Sequence, residues 1–247
     1  MVKFVVFCTK VIAATIAAAL FSSCQIKDIQ FGEGIDGNGN VTRETRSVGT
    51  SFSKIDVNRG LNVTLEQSDT YFVEVEADDN LQSHITVKVE NETLIITTDE
   101  SIDEAKAKNI HVKMPSLTYI ETSSGASVTT NNAFTGTEIT VKNSSGSESN
   151  VNLEYDKISC KASSGSEIVL KGKALDLNTD SSSGSDIDAR DLLVNNVVSE
   201  ASSGSSTDVH PGVSLKGKAS SGSSISYDSS PKTIVKEESS GGSVSKE

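Results

Sequence analysis

From residue 116 onward, apolar and polar residues alternate in short runs, and each run is interrupted by the tripeptide Ser-Ser-Gly. The seven glycines are Gly125, Gly146, Gly165, Gly184, Gly204, Gly222 and Gly241. They recur at a near-constant spacing of roughly 19 residues, and such a period marks a repeat architecture. Aligned on the glycine, the place seven before it reads Thr118, Ile139, Ile158, Leu177, Val197, Leu215 and Ile234. The place three after it reads Val128, Ser149, Ile168, Ile187, Thr207, Ile225 and Val244. Alternation of period two means strands with one buried face. Helices are excluded, because Gly and Ser interrupt every segment and are poor in helix interiors.

One such unit cannot bury its own inner face, but stacked units can, each strand pairing in parallel with its equivalent in the next coil. The expected fold is all-β: a parallel β-helix, a solenoid of roughly 19-residue coils. Six steps at the inter-strand spacing of ~4.8 Å give a section about 29 Å long. Each Ser-Ser-Gly is read as a corner, since Gly permits backbone angles barred to other residues and Ser bonds to nearby backbone at bends. The stacked serines also form a hydroxyl-rich strip that a ligand can touch, and the two readings are compatible.

Residues 41–115 read as a strand-rich N-terminal part of the same domain. Alternating runs occur in "KIDV" (54–57), "LNVTLEQ" (61–67), "YFVEVEA" (71–77), "ITVKVE" (85–90), "TLIITTD" (93–99) and "IHVKM" (110–114). "ENE" (90–92) reads as a hairpin turn, "EADDN" (76–80) as a turn, and "ESIDEAKAKN" (100–109) as a charged loop or short helical turn. "RGLNVTLEQ" echoes "SSGASVTTN" (123–131), which predicts a degenerate first coil with a long hairpin insertion, capping one end of the solenoid. At the other end, Lys236, Glu237, Glu238, Lys246 and Glu247 discourage edge pairing.

The first 23 residues differ in kind. Lys3 and Lys10 flank an apolar run, "VIAATIAAALF" follows, and Ser22 and Ser23 precede Cys24. This run is too short for a stable membrane span. The segment 1–23 resembles a bacterial lipoprotein signal, which makes Cys24 the lipidated first residue of the mature chain. An ordinary secretory signal with an incidental cysteine is the other reading. Residues 24–40, rich in Gly and polar side chains, read as a flexible tether.

Composition narrows the function. Lys and Arg number 22 and Asp and Glu 34, a net charge of −12, so the chain gains nothing from counterion release and nucleic acid is not an expected partner. Of the three cysteines, Cys8 leaves with the signal and Cys24 carries lipid; Cys160 has no partner and falls in an inward column, as a small apolar residue would. His84, His111 and His210 lie far apart in sequence and read as solvated or capping side chains. No metal, nucleotide or nucleophile motif appears, so no catalytic residue, metal ligand or cofactor is expected. Asp186, Asp188 and Asp191 in "GSDIDARD" form the one acidic cluster of the repeats; their alternation about Ile187 and Ala189 makes Asp186 and Asp188 outward residues. The aromatic residues after the signal, Tyr71 and Phe52 among them, fall in no regular column, which disfavours a stacked-sugar platform and leaves hydroxyl-based contact open.

The order "FSKIDV…GLNVTLEQ…VEVEADDNL…LIITTD…MPSL…SSGASV", followed by the repeats, resembles the putative auto-transporter adhesin, head GIN domain family of Bacteroidetes lipoproteins, over roughly residues 41–247. The resemblance implies a right-handed β-helix-like domain on the cell envelope, and it brings no site residues with it. The expected function is a lipid-anchored, non-enzymatic, adhesin-like contact module, outer-membrane located, with an extracellular or envelope protein or glycan as partner. A polysaccharide-binding or polysaccharide-cleaving β-helix, and a structural or sensory envelope protein, are the alternatives.

Overall fold

The computed structural model describes residues 34–247. The lipoprotein signal and Cys24 lie outside the described residues. Gly34–Glu247 forms one compact unit.

The N-terminal part contains β1 (Val41–Thr45), β2 (Lys54–Val57), β3 (Asn62–Gln67), β4 (Phe72–Asp78), β5 (Ile85–Glu90), β6 (Thr93–Thr98) and β7 (Lys108–Met114). The repeats follow as β8 (Tyr119–Thr122), β9 (Ser127–Thr130) and β10 (Phe134–Asn143), then the long bent strands β11 (Glu148–Ala162), β12 (Glu167–Ser181), β13 (Asp186–Ala201) and β14 (Ser206–Ala219). The last are β15 (Ser224–Tyr227), β16 (Thr233–Glu238) and β17 (Ser243–Lys246). Neighbouring coils pair in parallel and in register: Ile139 on Ile158, Ile158 on Leu177, Leu177 on Val197, and Val197 on Leu215. All five are buried, the core column that the alternation predicts. Ile234 of the terminal coil is 39% exposed, because no further coil covers it.

The solenoid admits polar residues to its interior where they pair. Thr179 donates to Ser199 at 2.8 Å, and the Ser181 and Thr207 hydroxyls lie 2.8 Å apart, all four buried. A buried hydroxyl without a partner costs stability, and these ladders remove that cost. The register slips between Val169 and Gly172, where β13 carries one extra residue opposite β12, and slips again between β13 and β14. Gly172 is in the left-handed half of backbone space, at positive φ. A Cβ there would stand 2.3 Å from the Leu153 carbonyl oxygen of the preceding coil, so this close approach of β12 to β11 requires glycine.

The degenerate first coil exists. Arg59 and Gly60 make its corner, and β2 and β3 pair in parallel with β8 and β9. The insertion does more than hairpin outward: β6 and β7 form a further coil on the far side of β2 and β3, so spatial order departs from chain order. β5 and β4 then cover β6 and β7 antiparallel, and β1 pairs with β4. "ENE" is the β5–β6 turn, with Asn91 and Glu92 both at positive φ. "EADDN" is not simply a turn: Glu76–Asp78 complete β4, and a short 3-10 turn, Asp79–Leu81, follows.

The tether expected through residue 40 is a second difference. Residues 34–40 dock on the cap. Ile35 bridges to Ile102, and the Gly37 amide donates to the Glu104 carbonyl at 2.7 Å. The buried Asp78 carboxylate draws this segment in, accepting from the amides of Gly39 (2.8 Å), Ala107 (3.1 Å) and Lys106 (3.4 Å).

Candidate contact surface

Each Ser-Ser-Gly and the residue after it form a four-residue turn closed by a bond from the fourth amide to the first carbonyl, as from Ser166 to Ser163 at 3.3 Å. Both central residues are left-handed: Ser164 has φ +56° and Gly165 φ +69°, and the other six corners match closely. This is a type I′ turn, which demands positive φ twice. The sequence identifies the glycine but not its serine neighbour, because Asn, Asp and Gly are the residues that ordinarily mark that place. Successive corners are bonded together. The Gly165 amide donates to the Ser183 carbonyl at 3.2 Å, and equivalent bonds run unbroken from Gly60–Ser124 to Gly222–Ser240.

The residue after each glycine also has a role that the tripeptide hides. It reads Ala126, Ser147, Ser166, Ser185, Ser205, Ser223 and Gly242, always small. The five serines are buried. The Ser185 hydroxyl accepts from the Ser182 amide at 3.1 Å and donates to the Ala162 carbonyl of the previous coil at 2.8 Å. Ser147 and Ser223 do likewise, toward Thr122 and Ala201. The buried serine holds the turn, and the left-handed Ser-Gly pair is left outside, exposed at every corner.

The result is a continuous ridge of seven stacked Ser-Gly pairs. On one flank, the outward column four places before the glycine is charged in every coil: Glu121, Lys142, Lys161, Asp180, Glu200, Lys218 and Glu237, all exposed. They stack in register, and Lys161 pairs with Asp180 at 2.8 Å. On the other flank, Glu148, Glu167 and Asp186 stack directly. Partial desolvation on the stacked flank raises the carboxyl of Glu167, itself exposed, above its ordinary range, and the neighbouring Glu148, Asp186 and Asp188 carboxylates push it further. Asp188 turns to Arg190, which grips it through Nε at 3.0 Å and Nη2 at 2.6 Å and holds its carboxyl low. Asp186 and Asp191 are exposed, and the three aspartates form no metal-holding group.

The other candidates stay apart. Each histidine has a separate carboxylate neighbour: Asp99 for His84 at 2.9 Å, Glu76 for His111 at 3.7 Å, and Asp228 for His210 at 2.7 Å. Among the described residues no group of three His, Cys, Asp or Glu side chains is arranged to hold a metal ion. Cys160 is buried in its inward column, and burial pushes its thiol far up.

Fold and surface together define a parallel β-solenoid that displays in-register polar columns on its outside. The chain belongs to the family described as "Putative auto-transporter adhesin, head GIN domain", whose model matches residues 51–231. Solved structures share the fold. A "putative adhesin" from Bacteroides fragilis NCTC 9343 superposes with a TM-score of 0.81 at 20% identity, covering 87% of this chain and 100% of its own. A "putative lipid binding protein" from Parabacteroides distasonis ATCC 8503 gives 0.71 at 20% identity, with the same coverage. A "putative adhesin" from Parabacteroides merdae ATCC 43184 gives 0.70 at 18% identity, covering 86% of this chain and 98% of its own. No curated protein matches the chain.

Proposed function

We propose that the protein is a non-enzymatic contact module of the bacterial cell envelope, lipid-anchored through Cys24 in the outer membrane, with an envelope or extracellular protein or glycan as its partner. The observation that carries this reading is the ridge: seven exposed Ser-Gly pairs in one line, beside a column charged in every coil. Such a surface offers many similar weak contacts instead of one deep site. Its charges are exposed, so each contributes little and the sum is sensitive to salt. The family's adhesin description supports the same reading.

The test is retention of the labelled protein on immobilised matrix proteins and polysaccharides. Retention should fall with ionic strength, and should fall in small additive steps as Lys142, Asp180 and Lys218 are replaced by Ala one at a time. Replacing Asp186, Asp188 and Asp191 together with Asn should leave it nearly intact. Polysaccharide cleavage that vanishes in that triple variant would overturn the reading, because carboxylates of a catalytic site act as a unit. The anchor is tested separately: Cys24→Ser should move the protein from the membrane to the soluble fraction.

A further inference from the structure

A cleft of about 550 Å³ lies off the repeats, on the N-terminal cap. One wall is the irregular segment from Arg46 to Ser51, which carries the chain from β1 toward β2. The other is Tyr71 and the start of β4. The volume falls within the ~300–1,000 Å³ of small-ligand sites.

Tyr71 is the notable group in this cleft. It is 39% exposed, and its ring is braced from behind by buried Phe52, with centroids 4.9 Å apart and planes tilted by 51°. The two aromatics stand on either side of β2 and β3 in the chain and belong to no repeat column, so the columns gave no sign of them. A second, smaller hollow lined by Ser51, Ser53 and Glu92 touches the same ring. Tyr71 therefore stands as a fixed, half-bare plate between two depressions.

The opposite wall is rich in hydrogen-bonding groups. Ser47, Thr50 and Ser51 bring hydroxyls. Among the described residues, the amides of Ser47, Val48, Gly49 and Ser51 donate to no protein group. Arg46 does not make the cleft an anion site. Its guanidinium is held by the Glu44 carboxylate at 2.5 Å and by the carbonyl and side-chain oxygens of Gln82 at 2.8 and 2.9 Å. A lipid tail fits poorly too, since about half of the lining residues are polar.

We infer that this cleft binds a neutral sugar unit of a glycan, with the pyranose C–H face on Tyr71 and its hydroxyls on the Ser47–Ser51 wall. A sugar ring has one apolar face and a rim that both donates and accepts, which is the complement of these two walls. The site stands apart from the ridge, so either can fail without the other.

The test is calorimetric titration of the purified protein with soluble neutral oligosaccharides of mannan, xylan, galactan and chitin, with palmitate as the lipid arm. At least one oligosaccharide should bind. Tyr71→Ala should weaken that binding at least about tenfold, while Tyr71→Phe, which keeps the ring, should stay within about threefold. Tyr71→Phe, which keeps the ring on Phe52, should melt as the wild type does; Tyr71→Ala loses that contact and should melt somewhat lower while staying folded at the titration temperature. Retention through the ridge should be unchanged in both. No binding across the oligosaccharide panel, equal binding by Tyr71→Ala, equal loss in Tyr71→Phe, or binding of palmitate alone would each overturn the proposal.

Discussion

The Lys236 ammonium donates to the Val244 carbonyl at 2.7 Å, across the last corner of the solenoid. Glu238 completes the arrangement by accepting the Val244 amide at 2.6 Å. Both charged residues sit in inward columns, where earlier coils place Cys160 or Thr179 and Ala162 or Ser181. Their heads occupy backbone groups that a further coil would pair with. Inward-pointing charge on an open edge blocks strand addition. Replacing Lys236 and Glu238 together with Val should free that edge, so that the protein associates with rising concentration in sedimentation. A double variant that stays at the wild-type size, with an unchanged melt, would show that the end is closed by something else.

The corner makes a paired prediction. At Gly165, φ is +69° and no atom lies within 4 Å of an added Cβ. Gly165→Val should therefore destabilise the fold by about 1–2 kcal/mol, through backbone strain alone. Ser164→Asn should do the reverse, raising stability by up to about 1 kcal/mol, because Asn tolerates the left-handed region better than Ser. Chemical denaturation of both variants measures the pair. Equal stability of all three proteins would mean that the turn relaxes out of the left-handed region.

Cys160 should be inert in the folded state. Its thiol is buried and its pKa raised by that burial, so almost no thiolate is available at neutral pH. A maleimide pulse followed by peptide mass spectrometry should leave Cys160 unlabelled until denaturant is added. Rapid native labelling would indicate opening of the coil around β11.

Asp78 gives the cap its pH dependence. Burial pushes this carboxyl up, but the amides of Gly39, Ala107 and Lys106, with the Lys106 charge, outweigh it, and the net shift is downward. A carboxyl depressed in the folded state stabilises above its unfolded pKa, and that stabilisation is lost as pH falls through the folded value. The ordinary value is 3.8, so the loss should set in near pH 4 and deepen below it. Hydrogen exchange at Gly39 and Ala107 should then accelerate ahead of the repeats. In Asp78→Asn the same exchange should be fast already at neutral pH; protection equal to the wild type would remove Asp78 as the anchor.

The repeat was legible because every coil solves the same local problem. The inward column from Ile139 to Leu215 and the glycines from Gly125 to Gly241 recur at a period that only stacking explains. Strand limits in the cap were nearly as plain: 54–57 and 85–90 coincide with β2 and β5. What stayed hidden depends on distant partners. Nothing local to "TLIITTD" says that β6 stacks outside β2, since β3, β4 and β5 all intervene in the chain between the two paired strands. Asp78 reads as one acid among several until residues 39 and 106–107 arrive around it. Phe52 and Tyr71 carry no mark of a shared wall, because the cap, and not a repeat, brings them together.

The unbroken Gly-to-Ser bond from corner to corner has a consequence for how this protein changes over generations. Each corner bonds only to the coils directly above and below, and each presents the same geometry to both. Duplication or loss of one coil between Gly146 and Gly222 therefore leaves two matching corners to rejoin. Copy number alone sets how far the ridge reaches, at ~4.8 Å per coil. Unequal crossing-over within the gene is enough to make longer and shorter versions, while the two dissimilar ends stay intact.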